Sequence, residues 1–536
     1  VSHGKRLLPP QSLAGNVPVI LLLLLAWVYL TGVPVRAGDV PPLLRIGLDG
    51  VAMSADPHRQ NSADSRNLAF HVFEPLIMPD LALGTVPWLA TEWRPVGERD
   101  WVFTLRPNVR FHDGKPLAPE DVAFTFCRLD SNGGSMSGLI AGVERVAARD
   151  AGSVQITTQG PNPLLPQLLT MISIIPAPNG WKEPYVPGGC ANMAAALTSL
   201  GEDRFANGLV PGTGPYRLTA FTSGGPAELA RTDGYWGTQP YWEQVRLLPI
   251  PGGAARARAL VAGDVDIINQ VVPESLEFLA GRRDLRVVDS RPLRTLILTP
   301  NPIGPLADPA VRRALAMAID RVSLARRVAQ GSAEPAAQLA PVGILGHEPR
   351  AAIGFDQINA RHILEKSGVS GGRTLRLITV EPFARVAEGI ARYLLAVGVT
   401  LDIRFVAVGN VLPAMQSLDY DLFLSGWIAF TGELGYTGRE LLHSRDPARK
   451  TGNQNFVGYS NPEIDRLLSL AAMESDRGKR GLLLGEMAMI ASRDMPVIPT
   501  IHLARRWAMN AEIRFDGRVD GNTLATLITP ASARTQ

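Results

Sequence analysis

The apolar run Leu43-Leu44-Arg45-Ile46-Gly47-Leu48 predicts an opening strand, and the polar, turn-forming residues from Asp49 to Asn61 predict a loop after it. Phe70, Phe73 and Leu76 stand near helical spacing, so 65–76 is expected to be a helix. Trp101-Val102-Phe103-Thr104-Leu105 alternates as a strand and is expected to meet Val109-Arg110-Phe111 in a hairpin through Arg106-Pro107-Asn108. His112-Asp113-Gly114 is the next turn. Pro119 followed by Glu120 and Asp121 marks a helix start, because the helix dipole favours acids in the first turn; Val122, Phe126 and Leu129 then share a face. Short β-type runs broken by prolines occupy 154–186. A strand at 216–221 is entered through Gly212-Thr213-Gly214-Pro215, and a helix at 254–261 precedes a strand at 264–268.

A second unit begins near Arg291. Asp308-Pro309 caps a helix in which Val311, Leu315, Ala318, Ile319 and Val322 follow the 3.6 period, with Gly331 ending it. A strand at 374–380, a helix at 384–397 with Val386, Ile390, Tyr393 and Leu394 inward, and strands at 399–406 and 420–425 imply a βαβ unit with a parallel sheet. Asn461-Pro462 starts a helix bearing Ile464, Leu467 and Leu468, and Pro496-Val497-Ile498-Pro499 leads into a β-type tail.

The first 37 residues read differently. Lys5 and Arg6 precede 14 apolar residues, Val17 to Leu30, and small Ala37 follows a short turn, the three parts of a secretory signal cleaved after Ala37. An uncleaved anchor is the alternative, but a span needs about 20 residues. No Cys lies near the cleavage point to carry a lipid. The segment holds three basic residues, Lys5, Arg6 and Arg36, and no acid, so the mature chain is formally neutral although the whole chain carries +3. That balance excludes a nucleic-acid binder. With 46% hydrophobic and 19% charged residues the chain can build large cores, and 52 Gly plus 43 Pro imply many turns.

Catalytic chemistry finds little footing. Gly212-Thr213-Gly214-Pro215 lacks the Lys and Ser/Thr of a phosphate loop and leads into a strand, so it reads as a turn. His112 and Asp113 are neighbours in a turn and point apart. The eight histidines show no paired-ligand spacing, and no Gly-x-Ser-x-Gly occurs, so no metal, no cofactor and no enzymatic activity are expected. Trp427 ends an apolar strand, where α/β units place ligand sites; a core tryptophan is the alternative. Cys127 and Cys190 are the only two cysteines. In an exported protein they could be joined, and two buried thiols are the alternative.

Four segments together resemble family 5 extracellular solute-binding proteins, the peptide- and nickel-binding receptors of ABC importers. They are Leu89-Ala90-Thr91-Glu92-Trp93 with 101–122; Gly212-Thr213-Gly214-Pro215-Tyr216 with Tyr235-Trp236-Gly237; Asp308-Pro309-Ala310-Val311-Arg312-Arg313-Ala314-Leu315 through Ile319-Asp320-Arg321; and Tyr420-Asp421-Leu422 to Gly426-Trp427. The resemblance covers the mature chain. It implies an α/β, bilobed periplasmic-binding-protein fold with a hinge: lobe I at 38–288, with an inserted subdomain near 81–205, lobe II at 289–501, and a return to lobe I at 502–536. It implies a monomeric periplasmic receptor that captures a peptide-like solute and delivers it to an inner-membrane ABC permease driven by its ATPase. An opine, an oligosaccharide or a metal chelate is the alternative solute.

The expected cleft set is Trp427, Ile428 and Phe430 after one lobe II strand and Glu381, Pro382 and Phe383 after another. Met53, Ser54 and His58 would follow the opening strand of lobe I. Peptide-binding members carry an Asp shortly after the Gly-Trp pair that holds the peptide ammonium; here the third residue after Trp427 is Phe430, and Glu433 is the nearest acid.

Overall fold

The computed structural model describes Val1 and residues 42–532, except 51, 60–62, 81–82, 132–135, 189, 330 and 372. The rest of the expected export segment, with its cleavage point, lies outside the described residues.

Two large sheets organise the chain from Leu43 onward. The first has seven strands in the order Leu285–Asp289, Arg506–Asn510, Ile267–Ile268, Leu43–Leu48, Gln244–Pro249, Ala227–Arg231, Tyr216–Phe221. Leu43–Leu48 lies parallel to both its neighbours, and the outer pairs are antiparallel. The second has six strands in the order Ala333–Pro335, Ile498–Leu503, Arg294–Pro300, Leu422–Ile428, Thr374–Val380, Thr400–Val406. Thr374–Val380 runs parallel to Thr400–Val406 and to Leu422–Ile428. The intervening helix Ala384–Leu395 turns Val386, Ile390 and Leu394 into the second core, as the periodicity requires. A smaller four-stranded sheet, Ala90–Val96, Asp100–Leu105, Ser153–Thr158 and Val143–Asp150, shares the core of the first sheet. The chain passes between the large sheets twice, from Asp289 to Arg294 and from Leu503 to Arg506.

Several expected elements differ: the helix expected over 65–76 ends at Val72, the strand expected over 264–268 is Ile267–Ile268, a helix Leu165–Leu169 lies within the β-type stretch 154–186, and two further cases show why. Asp100–Leu105 pairs with Ala90–Val96 and Ser153–Thr158, not with 109–111. Pro107 has no N–H to give a ladder and Asn108 sits at φ +63°, so the chain turns away. Val109 and Phe111 bury their side chains without joining a sheet. The helix expected from Pro309 is two helices, Pro309–Met317 and Arg321–Ala329. The Asp320 side chain accepts from the Ser323 N–H, and the Arg321 guanidinium donates to the carbonyls of Ala316 and Pro499, fixing the break. The break resets the phase, and Val322, expected inward, is 53% exposed.

The motif segments of the first lobe serve its core. A Cβ on Gly212 would lie 1.8 Å from the Val72 carbonyl oxygen, so only glycine permits this turn to pack on the helix Ala63–Val72. His112 clasps the same turn: its Nδ1 accepts from the Gly212 N–H at 3.2 Å and its Nε2–H donates to the Gly214 carbonyl at 2.9 Å. Beneath it lies Glu74, whose Oε1 accepts from Trp88 Nε1 (2.7 Å) and Tyr235 Oη (2.6 Å) and whose Oε2 accepts from Trp236 Nε1 (2.9 Å). Burial pushes this carboxyl up to about 7, against the pull of those donors from Tyr235, Trp236 and Trp88. A folded pKa raised above the unfolded value gives stability that is fully present at low pH and lost as pH rises through about 7. Glu74→Gln is therefore expected to flatten the fall in melting temperature between about pH 5 and about pH 8; an unchanged slope would refute the assignment.

Candidate functional site

The site is built where the second sheet faces the first. Gly426 lies on the strand Leu422–Ile428, and a Cβ there would sit 2.5 Å from Arg294 Nε. Glycine thus allows the Arg294 side chain to cross the strand, with its guanidinium 5.0 Å from the Phe383 ring centre. The next residue, Trp427, is half-buried; its Nε1 donates to Thr437 Oγ1 at 3.0 Å. The helix Leu434–Leu441 presents Tyr436, on which Trp427 stacks at 6.2 Å and 20°, and against which Phe430 packs edge-on at 4.8 Å. These rings form one wall of a solvent-open cavity of about 260 Å³. Phe70 and Arg66, from the helix Ala63–Val72, and Met171 form the opposite wall. The returning C-terminal segment closes the end with Arg505, Asp520 and Asn522.

The charge in this cavity is unequal. Among the described lining residues three are arginines, Arg66, Arg294 and Arg505, and one is a carboxylate, Asp520. Burial alone would raise the Asp520 carboxyl, but the charge and hydrogen bonds of Arg518 (Nε to Oδ1 3.0 Å) hold it below the ordinary range. A second cavity of about 210 Å³ shares Tyr436 with the first; Glu433, Arg439 and Leu468 line it together with Thr158 from the smaller sheet and Gly142 just before its strand Val143–Asp150.

The structure brings Trp427, Ile428 and Phe430 together at the first cavity. It places the other expected residues elsewhere. Phe383 is buried in the core of the second lobe, while Glu381 and Pro382 are exposed away from the cavity. Met53 is 55% exposed, with its carbonyl accepting from Ser223 Oγ. Ser54 is buried and its Oγ accepts from the Asp56 N–H. His58 is buried too: Arg128 Nη1 donates to its Nδ1 at 3.0 Å, so Nε2 carries the proton and donates to the Ser173 carbonyl at 2.7 Å. The reason is local: the loop after the opening strand folds back into its own lobe around Asp56, which receives the Arg128 fork at 2.9 and 2.5 Å. Glu433 does not offer a free charge in place of the missing Asp. It is buried and paired with Arg480 (Nε to Oε2 3.0 Å), and burial pushes its carboxyl up against that pull. Cys127 and Cys190 are joined by a disulfide in the structure, with Cα atoms 5.6 Å apart.

Arg66, Arg294, Arg505 and Asn522 were not expected. Arg294 and Gly426 are 132 positions apart and meet only because Arg294 pairs with Ile428 across antiparallel strands. The arginines of the return segment carry no local motif.

Two α/β lobes that flank a cavity lined with aromatic and charged side chains define a bilobed solute-binding protein. The model described as bacterial extracellular solute-binding proteins, family 5 (middle region), matches residues 84–447, and the chain belongs to that family. It is similar to a peptide transport periplasmic protein of Salmonella typhimurium, 26% identical over 460 residues, 80% of each chain. It is also similar to a probable D,D-dipeptide-binding periplasmic protein of Escherichia coli, 24% identical over 508 residues, 92% of this chain and 94% of that one. Among solved structures, the murein tripeptide binding protein of Escherichia coli superposes with a TM-score of 0.77 at 20% identity, over 91% of this chain and 98% of that one. That likeness is one of fold.

Proposed function

We propose that the protein is the periplasmic receptor of an ABC importer: it captures a peptide-like solute between its lobes and hands it to an inner-membrane permease. The observation that carries this reading is the cavity between the two sheets, in a chain of the solute-binding family whose similar proteins are named for peptide transport and dipeptide binding. We place lobe I at 38–288 with the return at 502–536, lobe II at 289–501, and the inserted subdomain near 81–205; the two crossings of the chain and the separate four-stranded sheet support this division. Export by a signal cleaved after Ala37 and action as a monomer belong to the same reading, supported by the naming of the similar proteins as periplasmic.

A panel of di- and tripeptides tests it by thermal shift, since a ligand that binds only the folded state raises its stability by a logarithmic term. At least one peptide is expected to raise the melting temperature, and Trp427→Ala to weaken its binding by about 2 kcal/mol, the effect of removing a central aromatic wall. Because Trp427 also packs against both lobes' cores, the empty variant is expected to melt lower as well. Absence of any shift across the panel would reject the peptide reading.

A further inference from the structure

We infer that the cavity anchors its solute by a carboxylate, gripped by Arg505 and Asn522 of the returning C-terminal segment; this rests on the receptor reading above and names the chemistry of its ligand. Asn522 is 1% exposed, lines the cavity, and has no hydrogen-bond partner at either Oδ1 or Nδ2. Its backbone N–H is already engaged with Asp520 Oδ1 at 3.0 Å, so the residue is fixed while its side-chain amide is left over. Buried amides without partners are rare and costly, and one at a ligand cavity marks a group that the ligand completes.

Arg505 stands beside it. Its Nη1 donates to the neutral Gln270 Oε1 at 3.0 Å and its Nε has no partner. A Cβ on Gly521, at φ +79°, would lie 2.7 Å from Arg505 Nε. Glycine at that position lets the turn carrying Asn522 lie directly against the guanidinium. A guanidinium N–H and an amide N–H side by side are a donor set for a carboxylate. The remaining amide oxygen accepts an N–H close to it. A peptide's last residue offers that pair, a terminal carboxylate and its own amide N–H.

The opposite polarity has no support in the cavity. Asp520, the one carboxylate among the described lining residues, is engaged by Arg518 and offers no uncompensated charge to an ammonium group; Glu433, with Oε2 held by Arg480 and Oε1 without a partner, lines the second cavity and not this one. Arg66 and Arg294, which have contacts of their own, add further positive charge to the walls.

Calorimetric titration of the full chain with matched ligands tests the inference. The probes are peptides with both ends free, N-acetylated, or C-amidated, together with N-carboxyalkyl amino acids and their amides. Amidation is expected to weaken binding about tenfold or more, the effect of losing a charge-assisted pair, and acetylation of the amine to change it much less. Asn522→Asp, close in shape, is expected to lose carboxylate binding while keeping the melting temperature within a few degrees. Arg505→Lys is expected to retain part of the affinity that Arg505→Gln loses. A ligand lost on acetylation but indifferent to amidation would overturn the carboxylate anchor and leave the peptide reading standing. Binding by the carboxyalkyl amino acids alone would overturn the peptide reading and leave the anchor standing. No binding by any carboxylate at millimolar concentration would overturn the anchor, and so would Asn522→Asp binding as the parent does.

Discussion

Asp56→Ala is expected to destabilise the protein by about 3–5 kcal/mol, because it strands a buried arginine without its counter-charge. Arg128 is 1% exposed and donates both ends of its fork to Asp56, at 2.9 and 2.5 Å, while its Cζ lies 3.9 Å from the Phe205 ring centre. His58 cannot take over the charge: burial first, and then the neighbouring Arg128, depress its pKa to about 4, so it stays neutral. Asp56→Asn keeps the shape but still leaves the guanidinium uncompensated. The double variant Asp56→Ala/Arg128→Met removes both charges and is expected to recover much of the loss, since replacing a whole buried pair costs far less than breaking it. Denaturant midpoints of the four proteins check this. A single-variant loss below about 1 kcal/mol would show that solvent reaches the pair and that the cluster is no anchor. None of the three residues lines the cavity, so ligand affinity per folded molecule should hold.

That cluster also shows where the sequence misleads. Strands of α/β lobes present their carboxyl ends to the ligand, and that rule puts the loop after Leu43–Leu48 at the cleft. Ser54 and His58 are polar, and polar residues in a loop read as accessible. Here the Asp56–Arg128 pair draws the loop inward, and a pair separated by 72 positions leaves no local trace. Trp427 and Phe430 line the cavity because they continue an apolar strand that is central in its sheet. Two helices of the second lobe were legible from period and caps, Ala384–Leu395 and Pro462–Met473 with Asn461 at its cap. The longest helix among the described residues, Arg477–Asp494, was not. Gly478, Gly481 and Gly485 weaken its propensity and its polar first turn blurs the period. One of them answers to packing: a Cβ at Gly481 would come within 2.8 Å of Leu345 Cδ1. Arg505 and Asn522 were illegible for another reason. Nothing in residues 502–522 distinguishes a β tail from a ligand wall until the chain has returned to the first lobe beside Gln270.

Removing the Cys127–Cys190 link is expected to cost about 4 kcal/mol if chain entropy sets its contribution, because the two residues close a long loop. They are 63 positions apart with Cα atoms 5.6 Å from each other, a spacing that a disulfide spans without backbone movement. Cys127 lies on the helix Pro119–Ser131, immediately before Arg128, and Cys190 leads into the helix Met193–Leu200. The bond therefore ties that second helix to the element that holds the Asp56 pair, and Phe126 and Tyr185 pack at 5.8 Å between the two cysteine segments. Peptide mapping without reductant should recover Cys127 joined to Cys190. Dithiothreitol and the double variant Cys127→Ala/Cys190→Ala should lower the denaturant midpoint to the same extent, since both remove the link and alanine keeps the sites apolar. Opening the loop should also free 184–200 before the rest of the lobe, so proteolysis would cut there first. Equal midpoints with and without reductant, or full alkylation of both thiols in the native protein, would establish two buried cysteines in place of a bond.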